Sequence, residues 1–264
     1  MPGHKYTRET ITQVTHWVPQ KLFSFRVTRP AGFSFVAGQF ARLGLPADDA
    51  PGAAPEIWRA YSMVSAPQHD MLEFYSIVVP GGQFTPRLAR LAAGDAIYVD
   101  QSAFGFLTLD RFEPGGNLWL IATGTGLSAY LSLLQDPNTW LLFDRIILVH
   151  GVRQAAELAY RKQILDWVAN GPPCPQAKSL AKLAYLPIAT RETLDHTPRE
   201  RITTLIASGQ LETLAGCALD PAKSKVMLCG NPDMLLEARK LLSERGFAVG
   251  RRGSPGNLAL ENYW

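Results

Sequence analysis

The sequence has few cysteines, little net charge and no long apolar run. Its three cysteines, Cys174, Cys217 and Cys229, are odd in number and not closely spaced, which disfavours a disulfide framework, a zinc site and an iron–sulfur site. No stretch approaches the roughly 18 uninterrupted apolar residues of a membrane span, and the N-terminal residues show no apolar signal-peptide core. We therefore expect a soluble protein of the cytoplasm, with no membrane span.

The net charge and the length further limit the ligand class and the number of domains. A net charge of +3, with dispersed basic residues, does not favour a nucleic-acid ligand, although a local basic patch could still contact an acidic protein. The 264 residues exceed one average domain, and a hydrophobic content of 47% suffices for one or two cores. The sequence therefore predicts two domains.

The hydrophobic pattern changes near residue 113. From about residue 8 to 110, short apolar runs between Gly, Pro and Asp predict an antiparallel barrel or sandwich. One short helix interrupts it, with Thr85 as the N-cap and Pro86 as the first helical residue. After residues 113–116 a strand, a glycine turn, a helix and a strand follow in alternation, which predicts a parallel sheet covered by helices. We thus expect a β-barrel domain at residues 1–113 and an α/β domain at residues 114–264.

Within the second domain the pattern predicts individual elements. The predicted strands are 118–122, 146–150, 184–189 and 226–229, and the predicted helices are 127–134, about 155–169, 200–208 and 232–245.

The tetrapeptide Arg-Ala-Tyr-Ser at residues 59–62 offers three groups that one flavin nucleotide can use together. The Arg59 guanidinium can fork onto a pyrophosphate, the Tyr61 ring can lie against an isoalloxazine, and the Ser62 hydroxyl can bond near its reactive nitrogen. It lies between a loop rich in Ala, Pro and Gly and a strand-like run. Tyr75, on an alternating strand, could face the core or a flavin ring. The tetrapeptide predicts a flavoprotein only if other features agree, because four residues also occur by chance.

Residues 123–126, Thr-Gly-Thr-Gly, follow an apolar strand and open a predicted helix. In that context backbone N–H groups can face a phosphate, although a plain tight turn has the same sequence. Proteins that prefer NAD commonly place an acid after the next strand, for the ribose. Here Arg153 follows it, and Arg191 and Arg201 could converge on the same group, unless all three are simply solvated. Cations suit a 2′-phosphate, so NADP is predicted over NAD.

Cys229 and the end of the chain complete the candidate site. Cys229 ends an apolar strand of the predicted parallel sheet, where it could contact a nicotinamide or be a buried structural cysteine. Tyr263 and Trp264 end the sequence, and their rings are expected to stack on an isoalloxazine or an adenine. Two glycine-bearing helix starts, at Thr85 and Thr125, predict two dinucleotide-sized ligands, a flavin and a nicotinamide cofactor.

Together, these segments resemble the bacterial ferredoxin (flavodoxin)–NADP reductases over essentially the whole chain. The matching segments are 59–62, 73–80, 84–88, 122–126, 148–150 with Arg153, 190–193, 226–232 and 263–264. The chain departs from the pattern at Ala129, where relatives often have proline. That difference concerns the shape of the turn after the glycines.

The resemblance implies that the barrel binds FAD and the second domain binds NADP, with electrons passing to or from ferredoxin or flavodoxin. By matching motif, the FAD ligands would be Arg59, Ala60, Tyr61, Ser62, Tyr75, Gln83, Phe84, Thr85, Thr125, Tyr263 and Trp264. The 2′-phosphate and its ribose would contact Val152, Arg153, Thr190, Arg191 and Arg201. Ser62, Cys229 and Trp264 would act in hydride transfer: at the flavin nitrogen, at the nicotinamide ring, and as a ring cover that nicotinamide displaces.

Two alternative functions stay open. One is an NADH-preferring reductase of the cytochrome b5 reductase or oxygenase reductase type, which Arg153 in place of an acid disfavours. The other is a flavin-binding electron-transfer subunit without nicotinamide activity, which the glycine turn, the arginines and Cys229 disfavour.

Overall fold

The computed structural model describes residues 5–48, 53–174, 181–194, 197–250 and 255–262. The chain forms a six-stranded antiparallel sheet followed by a five-stranded parallel sheet. The predicted fold class is therefore confirmed, whereas the boundary at residue 113 stays a prediction. None of the helices in these ranges has the length and apolar character needed to cross a bilayer.

The antiparallel sheet has the strand order β4-β3-β6-β1-β2-β5. Its strands are β1 Tyr6–Val18, β2 Leu22–Thr28, β3 Phe40–Leu45, β4 Ile57–Ser62, β5 Met71–Ile77 and β6 Ala96–Phe104. The two outer strands meet, because Met63 bridges to Phe74 and the Val64 N–H donates to the Glu73 carbonyl at 2.7 Å. The sheet therefore closes into a barrel, as its pattern predicts, and bulky apolar side chains fill the interior.

The short helix α1 (Thr85–Leu88) differs from the prediction at its start. Phe84 occupies the N-cap position, Thr85 is the first helical residue, and Pro86 is the second. The Thr85 hydroxyl caps no helical N–H; it accepts from the Val79 N–H at 2.8 Å. The N-cap prediction is wrong because this hydroxyl closes the preceding loop instead.

The parallel sheet has the order β11-β10-β7-β8-β9. Its strands are β7 Asn117–Thr123, β8 Arg145–Val152, β9 Lys182–Ala189, β10 Ser224–Cys229 and β11 Leu258–Glu261. The helices are α2 Leu127–Leu134, α3 Pro137–Leu142, α4 Arg161–Asn170, α5 Ile202–Ala207, α6 Gln210–Ala215 and α7 Pro232–Glu244. Alternate residues of β7 enter two different cores, Leu118 and Leu120 on one face and Trp119 and Ile121 on the other. Helices thus cover both faces.

Four local features differ from the expectations. Residues 59–62 lie inside β4 rather than before a strand. The helix expected at about 155–169 is divided into a 3₁₀ turn, Ala155–Glu157, and α4, because Tyr160 takes a left-handed conformation with φ 60°. Helices α3 and α6 were not expected. Residues 258–261, for which no strand was expected, form β11 beside β10.

The barrel and the parallel sheet share a core. Barrel residues including Leu22, Val64 and Tyr75 belong to the same buried apolar cluster as helix α2. The Ser132 hydroxyl donates to the Ser65 carbonyl at 2.8 Å, which fixes α2 to the end of the barrel. This packing places the glycine turn before α2 against β5.

Candidate functional site

A cavity of about 360 Å³ lies between the barrel and the glycine turn of the parallel sheet. The predicted residues that line it are Arg59, Ala60, Tyr61, Ser62, Tyr75, Gln83, Phe84, Thr85, Thr125 and Cys229. Other lining residues were not proposed as ligands from the sequence: Ser76, Ile77, Val79, Gly82, Gly126, Ser128 and Gly230. The sequence did contain a signal for several of them. Ile77 and Val79 continue the alternation that begins at Tyr75, and Gly82 and Gly126 lie just before α1 and α2.

Strand β4 presents its functional groups along one edge of the cavity. The Tyr61 hydroxyl lies 3.1 Å from the Ser76 hydroxyl, and burial raises the pKa of Tyr61 to about 12, so this phenol stays neutral. Its ring packs at 5.8 Å from the Phe84 ring. The Ser62 side chain is buried, and its hydroxyl has no hydrogen-bond partner within the described ranges. Ser62 therefore offers an uncommitted donor to whatever occupies the cavity.

Tyr75 lies both in the core and at the cavity wall, so the two alternatives of the sequence analysis are compatible. Its side chain is 2% exposed, and its ring meets the Tyr160 ring edge-on at 5.5 Å. The Tyr75 hydroxyl is buried with no hydrogen-bond partner in the described part of the chain. A buried hydroxyl of this kind normally has a partner, so a ligand or a water is expected beside it.

The loop before α1 supplies backbone donors. The first N–H groups of a helix have no intrahelical acceptor, so Phe84 and Thr85 can direct theirs at an anion. Thr85 is half-buried at the cavity wall, and Gln83 beside it is exposed. The segment offers hydrogen bonds to a phosphate rather than a full helix dipole, because α1 has only four residues.

Two glycines bring the ends of β7 and β10 into contact. A Cβ on Gly126 would lie 2.6 Å from the Cys229 carbonyl oxygen, and one on Gly230 (φ 132°) would lie 2.2 Å from the Thr123 hydroxyl. That hydroxyl accepts from the Asn231 N–H at 2.8 Å. Side chains at either glycine would separate the two strand ends, so these glycines place Thr125 and Cys229 at one cavity.

The Cys229 thiol is fully buried. Burial, with the neighbouring Glu261 carboxylate, raises its pKa well above the usual range for a thiol. Cys229 therefore stays protonated at neutral pH and can contact a ring without attacking it.

His150 is hydrogen-bonded to the glycine turn. Its Nε2 lies 3.1 Å from the Gly124 carbonyl oxygen, and its side chain is fully buried. Burial lowers its pKa to about 4, and this outweighs the Gly124 hydrogen bond and the field of Glu157. The ring is therefore neutral and holds the turn by a hydrogen bond.

The residues predicted for the 2′-phosphate lie outside the cavity, at the carboxyl edge of the parallel sheet. Val152 ends β8, and its carbonyl accepts from the Thr190 N–H at 3.0 Å. The Arg191 N–H donates to the Arg153 carbonyl at 2.9 Å, so these two arginines are neighbours. Arg201 precedes α5, whose Ile202 packs on Gly151 at the end of β8.

All three arginines are exposed. None of them forms an ion pair with another described residue. The structure thus gathers three uncompensated cations at one edge. The other predicted ligands, Tyr263 and Trp264, lie outside the described residues, and their roles stay predictions.

Comparison with known proteins identifies the family. The oxidoreductase NAD-binding domain family matches residues 120–240. Ferredoxin–NADP reductase A of Sorangium cellulosum is 41% identical over 99% of this chain and 90% of its own length. Flavodoxin/ferredoxin–NADP reductase of Escherichia coli is 38% identical over 96% of this chain and 97% of its own. The chain belongs to the ferredoxin (flavodoxin)–NADP reductase family. The resemblance seen in the sequence is thereby confirmed.

A solved member of this reductase family has the same architecture. The crystal structure of the ferredoxin–NADP reductase from Neisseria gonorrhoeae, with bound FAD and NADP, superimposes with a TM-score of 0.89 at 32% identity. The match covers 99% of this chain and 100% of the other. Both sheets and the junction between them are therefore common to the two reductases.

Proposed function

We propose that this chain is an FAD-dependent oxidoreductase that exchanges electrons between NADP(H) and a small one-electron carrier, ferredoxin or flavodoxin. The observation that carries the proposal is the single cavity shared by Ser62 and Thr85 from the barrel and Thr125 and Cys229 from the parallel sheet. One cavity between two sheets suits two coenzyme rings in contact. The names of the relatives support the same activity.

The donor set of the cavity fits a flavin. Its volume of about 360 Å³ lies within the range of roughly 300–1,000 Å³ for small-molecule sites. In the proposal, Arg59 and the N–H groups near Thr85 bind the pyrophosphate, and Tyr61 and Tyr75 border the ring. The remaining FAD contacts would come from Ala60, Ser62, Gln83, Phe84 and Thr125, with Tyr263 and Trp264 at the end of the sequence.

The exposed sheet edge fits a phosphate-bearing nicotinamide cofactor. Arg153, Arg191 and Arg201 would bind the 2′-phosphate, with Val152 and Thr190 at its ribose. Three cations without ion-pair partners favour the dianionic phosphate over the neutral hydroxyl of NAD. This supports NADP preference and disfavours the NADH-preferring alternative.

Held by these residues, FAD would supply two-electron hydride chemistry toward the nicotinamide and one-electron chemistry toward a carrier. The protein's own groups orient the reactants. Ser62 would donate its hydroxyl hydrogen to the flavin, and the neutral Cys229 thiol would pack against the nicotinamide. The surrounding aromatic side chains exclude water, which strengthens these polar contacts.

The partner and the location follow from this activity. Ferredoxin or flavodoxin would dock by electrostatic attraction to basic surface residues, in keeping with the net charge of +3. We place the protein in the cytoplasm, a reducing compartment that suits cysteines forming no disulfide in the described part of the chain.

Anaerobic titration of the purified protein tests the proposal. We expect one FAD per chain, bleaching of the flavin absorbance by NADPH at far lower concentrations than by NADH, and reduction of added ferredoxin or flavodoxin. A protein that takes up no FAD would contradict the whole proposal. Bleaching by NADH and NADPH alike would favour the cytochrome b5 reductase type, and FAD without bleaching would favour the electron-transfer subunit.

A further inference from the structure

The loop that carries Arg153 is attached to the barrel through one buried carboxylate. We call residues 152–157 the phosphate loop. Glu157, at its end, is only 8% exposed, and its Oε1 forms an ion pair with the Lys21 ammonium between β1 and β2. The loop of the second sheet is thus fixed to the first sheet through this pair.

The other oxygen of Glu157 holds the phosphate loop itself. Its Oε2 accepts from the Arg153 N–H at 3.0 Å and from the Gln154 N–H at 3.4 Å. Burial alone would raise the pKa of Glu157, but the Lys21 and Arg153 hydrogen bonds outweigh it and lower the pKa. The group is therefore a carboxylate with both oxygens engaged.

Neighbouring groups make the phosphate loop rigid. The next N–H, of Ala155, donates to the Glu192 carboxylate at 2.9 Å. The Arg153 carbonyl accepts from the Arg191 N–H at 2.9 Å. Both backbone groups of Arg153 are therefore fixed, the N–H by Glu157 and the carbonyl by Arg191, which follows β9.

The same contact region contains a second carboxylate that does not touch the phosphate loop. Glu73 of β5 accepts from the Tyr160 hydroxyl at 2.8 Å, and Tyr160 packs on Trp17 with ring centroids 4.6 Å apart. Glu73 therefore links the barrel to the start of α4 without contacting Arg153. It provides a matched control for Glu157.

We propose that Glu157 is a positioning residue for recognition of the 2′-phosphate. Glu157 is held by Lys21 and fixes the backbone of Arg153. The guanidinium groups of Arg153 and Arg191 can then contact the same phosphate. This inference rests on the proposed function and adds a residue that never contacts the ligand. Its consequence is that selectivity for NADPH depends on a contact with the barrel.

Kinetics of Glu157→Gln test the role. Losing a charged acceptor of a backbone N–H should raise KM for NADPH about tenfold, with kcat at saturation and KM for NADH changed less than about twofold. Glu73→Gln should leave the ratio of the two KM values as in the wild type. Equal increases for NADPH and NADH, or the same ratio in both variants, would overturn the inference.

Variants of Lys21 test the link to the barrel even if Glu157→Gln does not fold. Because Lys21 is partly exposed, Lys21→Met should weaken NADPH binding only about threefold, and Lys21→Arg should restore it. An unchanged KM in Lys21→Met would show that the barrel contact plays no part.

Binding of adenosine 2′,5′-bisphosphate, measured by calorimetry on the FAD-loaded protein, separates the two proposals. Wild type should bind it more tightly than 5′-AMP, and Glu157→Gln should lose most of that difference. If the wild type shows no difference, the proposed NADP preference fails. If both proteins prefer the bisphosphate equally, only the role of Glu157 fails.

Discussion

The cavity between the sheets and the arginine edge of the parallel sheet are built by different means. In the cavity, buried side chains and two glycines fix most groups by close packing, as with Gly126 against the Cys229 carbonyl, although Arg59 and Gln83 are exposed. At the edge, Arg153, Arg191 and Arg201 are exposed, and it is their backbone that is held, as by the bond from the Arg191 N–H to the Arg153 carbonyl. The first site depends on shape and the second on charge.

This difference predicts two kinds of response to substitution. Buried contacts in the cavity are barely screened by salt, whereas the field of the exposed arginines falls with ionic strength over a Debye length of about 10 Å at 0.1 M. The effects of substitutions in the cavity should therefore be insensitive to salt. The effects of substitutions at the edge should depend on salt.

The largest effect is expected for Gly230→Ala. The added Cβ would lie 2.2 Å from the Thr123 hydroxyl and 2.7 Å from its carbonyl oxygen, at a φ of 132°. Overpacking and the positive φ together should lower the free energy of unfolding by about 3 kcal/mol or more and weaken FAD retention. Denaturant unfolding and flavin content measure both.

Gly94→Ala is the control for that change. Gly94 also has a positive φ, 99°, but nothing lies within 4 Å of its added Cβ. Gly94→Ala should lower the free energy of unfolding by only about 1–2 kcal/mol and leave FAD bound. Equal losses in the two variants would show that packing at Gly230 is unimportant.

Replacing the three arginines by alanine tests the edge. Each change should raise KM for NADPH about tenfold, by removing charge-assisted hydrogen bonds, and leave KM for NADH nearly unchanged. Added salt should raise KM for NADPH in the wild type more than in the triple variant. Arg239→Ala, an exposed arginine of α7, should have no effect, and parallel changes for NADH would argue against the phosphate assignment.

Ser62→Ala should have a smaller, purely kinetic effect. Loss of the uncommitted hydroxyl should slow flavin reduction by NADPH about tenfold in stopped-flow measurements, while FAD stays bound and salt makes no difference. Ser102→Ala, at an exposed position of β6, should match the wild type. A normal reduction rate in Ser62→Ala would remove this serine from the mechanism.

The smallest effect concerns Cys229. Since burial raises the pKa of this thiol, it should contribute no ionisation between about pH 6 and 9. The pH profile of flavin reduction should then keep its shape in Cys229→Ala, whatever the change in rate. Iodoacetamide should label the partly exposed Cys217 before Cys229. Rapid labelling of Cys229, or loss of an inflection in the variant, would mean that it ionises.

Much of the fold could be predicted from the sequence because its signals are local. The apolar runs of β7 and β8 and the glycines between β7 and α2 mark a parallel sheet without knowledge of distant residues. The start of α1 could not be predicted, since Thr85 suits an N-cap by residue type. Only the approach of Val79, six residues away, directs its hydroxyl elsewhere.

The residues of the candidate site could likewise be predicted only where the signal is local. Arg59, Tyr61 and Ser62 stand out by type and spacing, as do Thr125 and Cys229. Glu157 does not, because a single glutamate after a strand carries no pattern. Its role comes from Lys21, which is 136 positions away in the sequence.

By itself, the sequence determined the two kinds of sheet, the glycine turn between β7 and α2 and the identity of most groups at the cavity, because these depend on periodicity, glycine positions and residue chemistry. The tertiary structure alone decided which of these groups share a cavity and which stay exposed, and it attached the Arg153 loop to the barrel. Contacts between distant segments depend on how α2 packs against the barrel and how neighbouring strands align, and no local pattern encodes that packing.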